Sequence, residues 1–142
     1  MVVPIPEENY SVKWCDDFTG VAGAIDTSKW NIVLNKPGDQ GKDGNEVSSN
    51  TDSTSNVSLY VSPSGDKTLR VTPQKDSAGN WTSARIEGKM DGGGYTCPPL
   101  KRILLQAELR LGSAPPDKQV GIWPGFWALG ASFHPSVLLS LP

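Results

Sequence analysis

The 142 residues are enough for one domain and leave little room for a second. Aromatic residues at 8% and charged residues at 20% are ordinary for a globular chain, while 15 glycines and 12 prolines favour turns and strands over long helices. The net charge of −2 removes any electrostatic case for nucleic acid or an anionic membrane as partner and leaves neutral polymers open. No apolar run approaches the roughly 20 residues that span a bilayer. The first ten residues lack the basic head and apolar stretch of a signal peptide.

In chain order, short alternating runs are separated by turn-rich stretches. Residues 36–45 are rich in Gly, Asp and Lys and read as a loop. Val57-Ser58-Leu59-Tyr60-Val61 alternates apolar and polar residues, Pro63-Ser64-Gly65-Asp66 supplies a turn, and Thr68-Leu69-Arg70-Val71-Thr72 alternates again. Together these predict a hairpin. After a second turn at Ser77-Ala78-Gly79-Asn80, the run 81–87 puts Ala84 and Ile86 on one face and Ser83, Arg85 and Glu87 on the other.

Residues 90–99 read as another loop. The longest alternation follows at 102–111: Ile103, Leu105, Ala107, Leu109 and Leu111 oppose Arg102, Gln106, Glu108 and Arg110. A helix would scatter those charges around its circumference, so the expectation is a half-buried antiparallel strand. Strands at this spacing, with turns between them and no internal repeat, argue for an all-β sandwich or jelly roll.

Cys15 and Cys97 form neither a disulfide framework nor a metal site, and both a mutual pair and two free thiols fit. Three sequons, Asn9-Tyr10-Ser11, Asn56-Val57-Ser58 and Asn80-Trp81-Thr82, are compatible with secretion. No metal-ligand spacing is present and no cofactor is implied. His134 is the sole histidine and has no Ser or Cys partner in a recognisable nucleophile motif.

Gly121-Ile122-Trp123-Pro124-Gly125-Phe126-Trp127-Ala128-Leu129-Gly130 concentrates two of the five tryptophans. In a strand Trp123 and Trp127 would share a face, with Phe126 opposite. They either fill a core or leave one indole open as a platform for the apolar face of a sugar ring. This segment resembles the signature upstream of the active site in glycoside hydrolase family 16, in its laminarinase or endo-1,3(4)-β-glucanase branch.

Other segments are similar in the same order. Trp14-Cys15-Asp16-Asp17-Phe18-Thr19-Gly20 resembles the family's opening strand, with Trp30-Asn31 after it. Asn45-Glu46-Val47, Ser55-Asn56-Val57 and Trp81-Thr82-Ser83-Ala84-Arg85-Ile86-Glu87 follow. Ser48 and Asn50 stand where relatives often carry Gln and Tyr.

The resemblance implies a concanavalin A-like β-jelly-roll sandwich, an extracellular location, a β-glucan substrate, and a cleft lined by Asn45, Arg85 and Trp127. The plainer alternatives are a surface ion pair of Arg85 with Glu87 and a loop cap at Asn45. Oligomeric state is not specified by any of these features.

Retaining glycosidases need two carboxyl groups about 5–5.5 Å apart. The resemblance implies that a Glu-x-Asp-x-x-Glu strand supplies them. No Asp or Glu follows Asp117, and the resemblance is lost after about Phe133. The expectation is therefore that 1–133 is the N-terminal part of a family 16 catalytic domain and 134–142 a divergent tail. Such a chain is a jelly roll cut short, without catalytic residues of its own. A non-catalytic β-glucan-binding module is the alternative.

Overall fold

The computed structural model describes residues 10–35, 46–89, 97–98 and 100–128. The chain divides into two compact units, one spanning Lys13–Tyr95 and the other comprising Met1–Val12 with Thr96–Pro142. Among the described residues there is no α-helix. The elements are short strands and a single turn of 3₁₀ helix.

All seven strands lie in the unit Lys13–Tyr95: β1 (Trp30–Val33), β2 (Ser49–Asn50), β3 (Val57–Val61), β4 (Lys67–Val71), β5 (Gln74–Lys75), β6 (Trp81–Ser83) and β7 (Arg85–Gly88). The expected hairpin is β3–β4, antiparallel, with Val57 opposite Val71 and Val61 opposite Lys67. Its turn closes through Ser62 N to Asp66 O (2.8 Å) and Gly65 N to Ser62 O (2.9 Å). Gly65 takes φ +89, which a side chain at that position would resist. The Asp66 carboxylate accepts from Ser64 Oγ at 2.7 Å, and the Asp66 N–H donates to Ser62 Oγ at 3.0 Å. Pro, Ser, Gly and Asp thus each perform the turn chemistry their types suit.

The run 81–87 is not one strand. It breaks at Ala84 into β6 and β7, which pair differently. β6 sits between β5, antiparallel, and β2, parallel. β7 pairs antiparallel with β1, with Trp30 opposite Gly88 and Val33 opposite Arg85. Isolated bridges join Gly23 to Leu59 and Asn35 to Asn50.

The core of this unit is Ile25, Val57 and Leu59, with Phe18, Trp30, Ile32, Leu69, Ala84 and Ile86 packed against it. Ala84 and Ile86 thus face inward together, as the alternation requires. The other hairpin face carries polar and aromatic side chains, where the Arg70 guanidinium lies 4.4 Å from the centre of the Tyr60 ring.

Two buried asparagines stitch the strands. Asn56, 3% exposed, donates its amide to Thr72 O (2.9 Å) and Thr82 Oγ1 (3.1 Å) and accepts from Thr51 Oγ1 (2.7 Å). Asn50 donates to Asn35 Oδ1 at 2.6 Å. Buried amides satisfied in this way tie β2, the approach to β3 and β6 into one network.

The segment 14–20, expected as an opening strand, forms no ladder. It folds against β1 instead. The Asp16 carboxylate accepts from Trp30 Nε1 (2.7 Å), Lys29 Nζ (3.2 Å) and Phe18 N (3.0 Å). Trp14 meets Trp30 edge-on, centroids 4.9 Å apart, and Phe18 stacks on the same indole at 6.2 Å. Phe18 takes φ 55, and its N–H donates to Asp16 Oδ1.

In the second unit the described residues form no strand, and the one regular element among them is a 3₁₀ turn, Pro116–Lys118. The long strand expected at 102–111 is absent: no ladder forms there, and Ile103, Leu104, Leu105, Leu109 and Leu111 are exposed. Alternation marks which side chains would share a face, whereas a strand exists only where a neighbouring backbone accepts its hydrogen bonds. The loop expected at 36–45 lies outside the described residues, as does all but 97–98 of the loop expected at 90–99.

Candidate functional site

Of the three residues expected to line a cleft, Arg85 and Trp127 fall among the described residues. Asn45 lies outside the described residues. Arg85 and Trp127 lie in different units and are described one at a time.

Arg85 opens β7 directly after the break at Ala84. Its position opposite Val33 fixes its backbone, while Ile86 beside it packs into the core. The side chain therefore leaves on the opposite face and is half-buried. Its Nη2 lies 2.8 Å from Glu87 Oε1, two residues along the same face. The ion pair named above as the plain alternative is thus formed. It holds a guanidinium, a group whose N–H donors match hydroxyl and carbonyl oxygens, beside a carboxylate.

Trp127 sits in the motif Trp123-Pro124-Gly125-Phe126-Trp127, which is not a strand. Gln119 organises the chain just ahead of it: its side-chain amide reaches the Ala114 carbonyl, and its own carbonyl accepts from Ile122 N at 3.1 Å. Gly121, at φ +82, turns the chain into the aromatic motif. A Cβ built on Gly125 would come within 3.2 Å of Trp127 Cδ1 and 3.3 Å of Nε1, so the indole lies across a backbone that has no side chain there. Trp127 is 52% exposed, and Trp123 and Phe126 are more exposed still.

No group of three or more His, Cys, Asp and Glu among the described residues is arranged to hold a metal ion. Glu87 is committed to Arg85. Asp16 is engaged by three donors and its side chain is only 7% exposed, which makes it a structural acid. The link from Asp16 to Trp30 spans fourteen positions, and nothing in the local pattern announces it. Lys29, held by Asp16, has its pKa raised by that hydrogen bond. His134 lies outside the described residues. Cys15 and Cys97 are free thiols.

No family model and no curated protein matches the chain. Its structure resembles the 1.5 Å crystal structure of an endo-1,3-β-glucanase from Streptomyces sioyaensis, with a TM-score of 0.54 and 36% sequence identity. That match covers 68% of this chain and 34% of the glucanase, so the chain spans about a third of that enzyme's length. The fold class is all-β, of the β-jelly-roll kind.

Proposed function

We propose that this chain is a β-glucan-recognising part of a glycoside hydrolase of the family 16 type, from the laminarinase or endo-1,3(4)-β-glucanase branch, and that the 142 residues by themselves do not hydrolyse glucan. The observation that carries the reading is 36% identity, over 68% of the chain, to an endo-1,3-β-glucanase of known structure. The ordered motifs from Trp14 to Gly130 support the finer family assignment. An extracellular setting follows from the same reading.

The chemistry assigned to the residues is binding. Trp127 offers an indole face to the apolar C–H side of a glucose ring, where each Å² of apolar surface buried is worth about 25 cal/mol. Arg85, oriented by Glu87, donates to sugar hydroxyls, and Asn45 belongs to the same proposed cleft. Cleavage needs a nucleophilic carboxylate and a protonated carboxyl face to face. No Asp or Glu follows Asp117 to provide them. The second reading is a lectin-like module that binds β-glucan without cutting it, and the half-exposed Trp127 indole supports it.

The test is retention on laminarin combined with a reducing-sugar assay of the purified 142-residue chain. Binding without sugar release is the expected result. Release of reducing sugar refutes the non-hydrolytic reading, and absence of binding refutes glucan recognition by this chain.

A further inference from the structure

We propose that Asn80 is an acceptor for N-linked glycan and that the sequon at Asn56 is closed to it. Both asparagines satisfy Asn-x-Ser/Thr, as Asn80-Trp81-Thr82 and Asn56-Val57-Ser58, so the sequence treats them alike. The fold separates them.

Asn56 is 3% exposed, and both hydrogens of its amide are in use, one to Thr72 O and one to Thr82 Oγ1, while its oxygen accepts from Thr51. A glycan replaces one of those hydrogens with a sugar. It would break a bond in the network that joins three strands and would need room beside Val57, the most buried side chain among the described residues. A chain glycosylated there does not reach this fold.

Asn80 ends the loop between β5 and β6, where every residue from Lys75 to Trp81 is exposed. The loop closes without the Asn80 side-chain amide carrying it. Asp76 N donates to Asn80 O (2.9 Å), Asp76 Oδ1 accepts from Ala78 N (2.9 Å) and Asn80 N (2.8 Å), and Gly79 takes φ +85. The Asn80 amide makes a long 3.3 Å bond to the exposed Asp76 carboxylate, so one of its hydrogens is dispensable. A sugar placed there projects from the loop tip into solvent.

The transfer precedes folding, because the Thr82 hydroxyl that a sequon needs is later tied to Gln74 O at 3.1 Å. The Asn80 amide nitrogen forms the bond to the anomeric carbon of a lipid-diphosphate-linked oligosaccharide. The anomeric carbon–oxygen bond breaks, lipid diphosphate leaves, and one amide proton is lost to a base of the transferase.

The test is expression of the full chain behind a cleavable secretion leader in a eukaryotic host. Glycans are mapped peptide by peptide in both secreted and cell-retained material, which keeps Asn9 separate. The expected result is a glycan on the tryptic peptide 76–85, none at Asn56 in secreted protein, and loss of one glycan's gel shift in Asn80→Gln. An unmodified Asn80 in both fractions overturns the proposal, as does a glycan at Asn56 in secreted protein. Should the chain be retained in the cell, occupancy of 76–85 in that fraction decides the same question.

Discussion

Replacing Asn56 by Ala removes a side chain whose hydrogen-bond partners Thr51, Thr72 and Thr82 all lie within the same unit. Thr72 O and Thr82 Oγ1 lose a donor and Thr51 Oγ1 loses its acceptor, while the backbone bonds Asn56 N to Ser53 O and Thr72 N to Asn56 O are untouched by the change. Each buried hydrogen bond contributes about 1 kcal/mol net, and more when the surviving partner is left without water. Three bonds give a destabilisation of about 3 kcal/mol, a large share of the roughly 5–15 kcal/mol that holds an ordinary domain together.

Urea unfolding followed by tryptophan fluorescence reads this directly. At a slope of about 2 kcal/mol per molar, the midpoint falls by about 1.5 M with the slope unchanged. Asn80→Ala, at an exposed loop position, is the comparison and shifts stability by less than about 0.5 kcal/mol. Asn56→Asp adds a pH signature. Burial raises the folded pKa of the new carboxyl above its unfolded value, so its destabilisation grows as pH rises through that range and is smallest in acid. A loss under about 0.5 kcal/mol for Asn56→Ala, or equal effects at positions 56 and 80, would refute the network as the organiser of the strands.

Gly20→Ala should cost about 1 kcal/mol in the same assay. Its Cβ would stand 2.6 Å from Leu59 Cδ1, in a core too small to yield freely, and an unchanged midpoint would show that Leu59 repacks. The Asp76 carboxyl, held by the backbone N–H of Asn80 first, then by its side chain and by Ala78 and Gly79, titrates below the ordinary 3.8. A folded pKa lowered in this way contributes stability above 3.8 that is lost as pH falls through the folded value. A carbon-detected NMR titration placing its midpoint at or above 3.8 would contradict the loop geometry. Trp127→Ala should weaken laminarin binding about 3- to 10-fold. Gly125→Ala, which displaces the indole by a few tenths of an ångström, should weaken it by less. Equal affinity for Trp127→Ala and the unaltered chain would remove Trp127 from the binding surface.

What the sequence made legible was local. The hairpin at β3–β4 is specified by two alternating runs and a turn whose Pro, Ser, Gly and Asp act within five residues of one another, and it forms one residue from where the alternation places it. The inward direction of Ala84 and Ile86, and the pairing of Arg85 with Glu87, depend on spacing of two along one backbone. Pairing between distant segments was not legible. Residues 102–111 carry the longest alternation in the chain, broken only at Leu104, yet alternation carries no information about a partner. The Asp16 clamp on Trp30 lies 14 positions apart, so 14–20 folds onto β1 as a capped segment instead of running as a strand. Of the candidate cleft, the character of each side chain could be read, but not its placement relative to the others, because that depends on the whole chain's path.

The break at Ala84 gives one backbone two sets of partners within eight residues. β6 is held by β5 and β2, and β7 by β1. Sliding an ordinary edge strand by one residue disturbs a single ladder and flips its own side chains. Sliding 81–88 would misalign both ladders at once, expose Ile86, and pull Thr82 away from Asn56. A small unit of two- to five-residue strands, each too short to fix its own alignment, thereby has its register set at one joint. Ala84, where the run passes from one ladder to the other, marks the point at which strand-exchange errors are resisted.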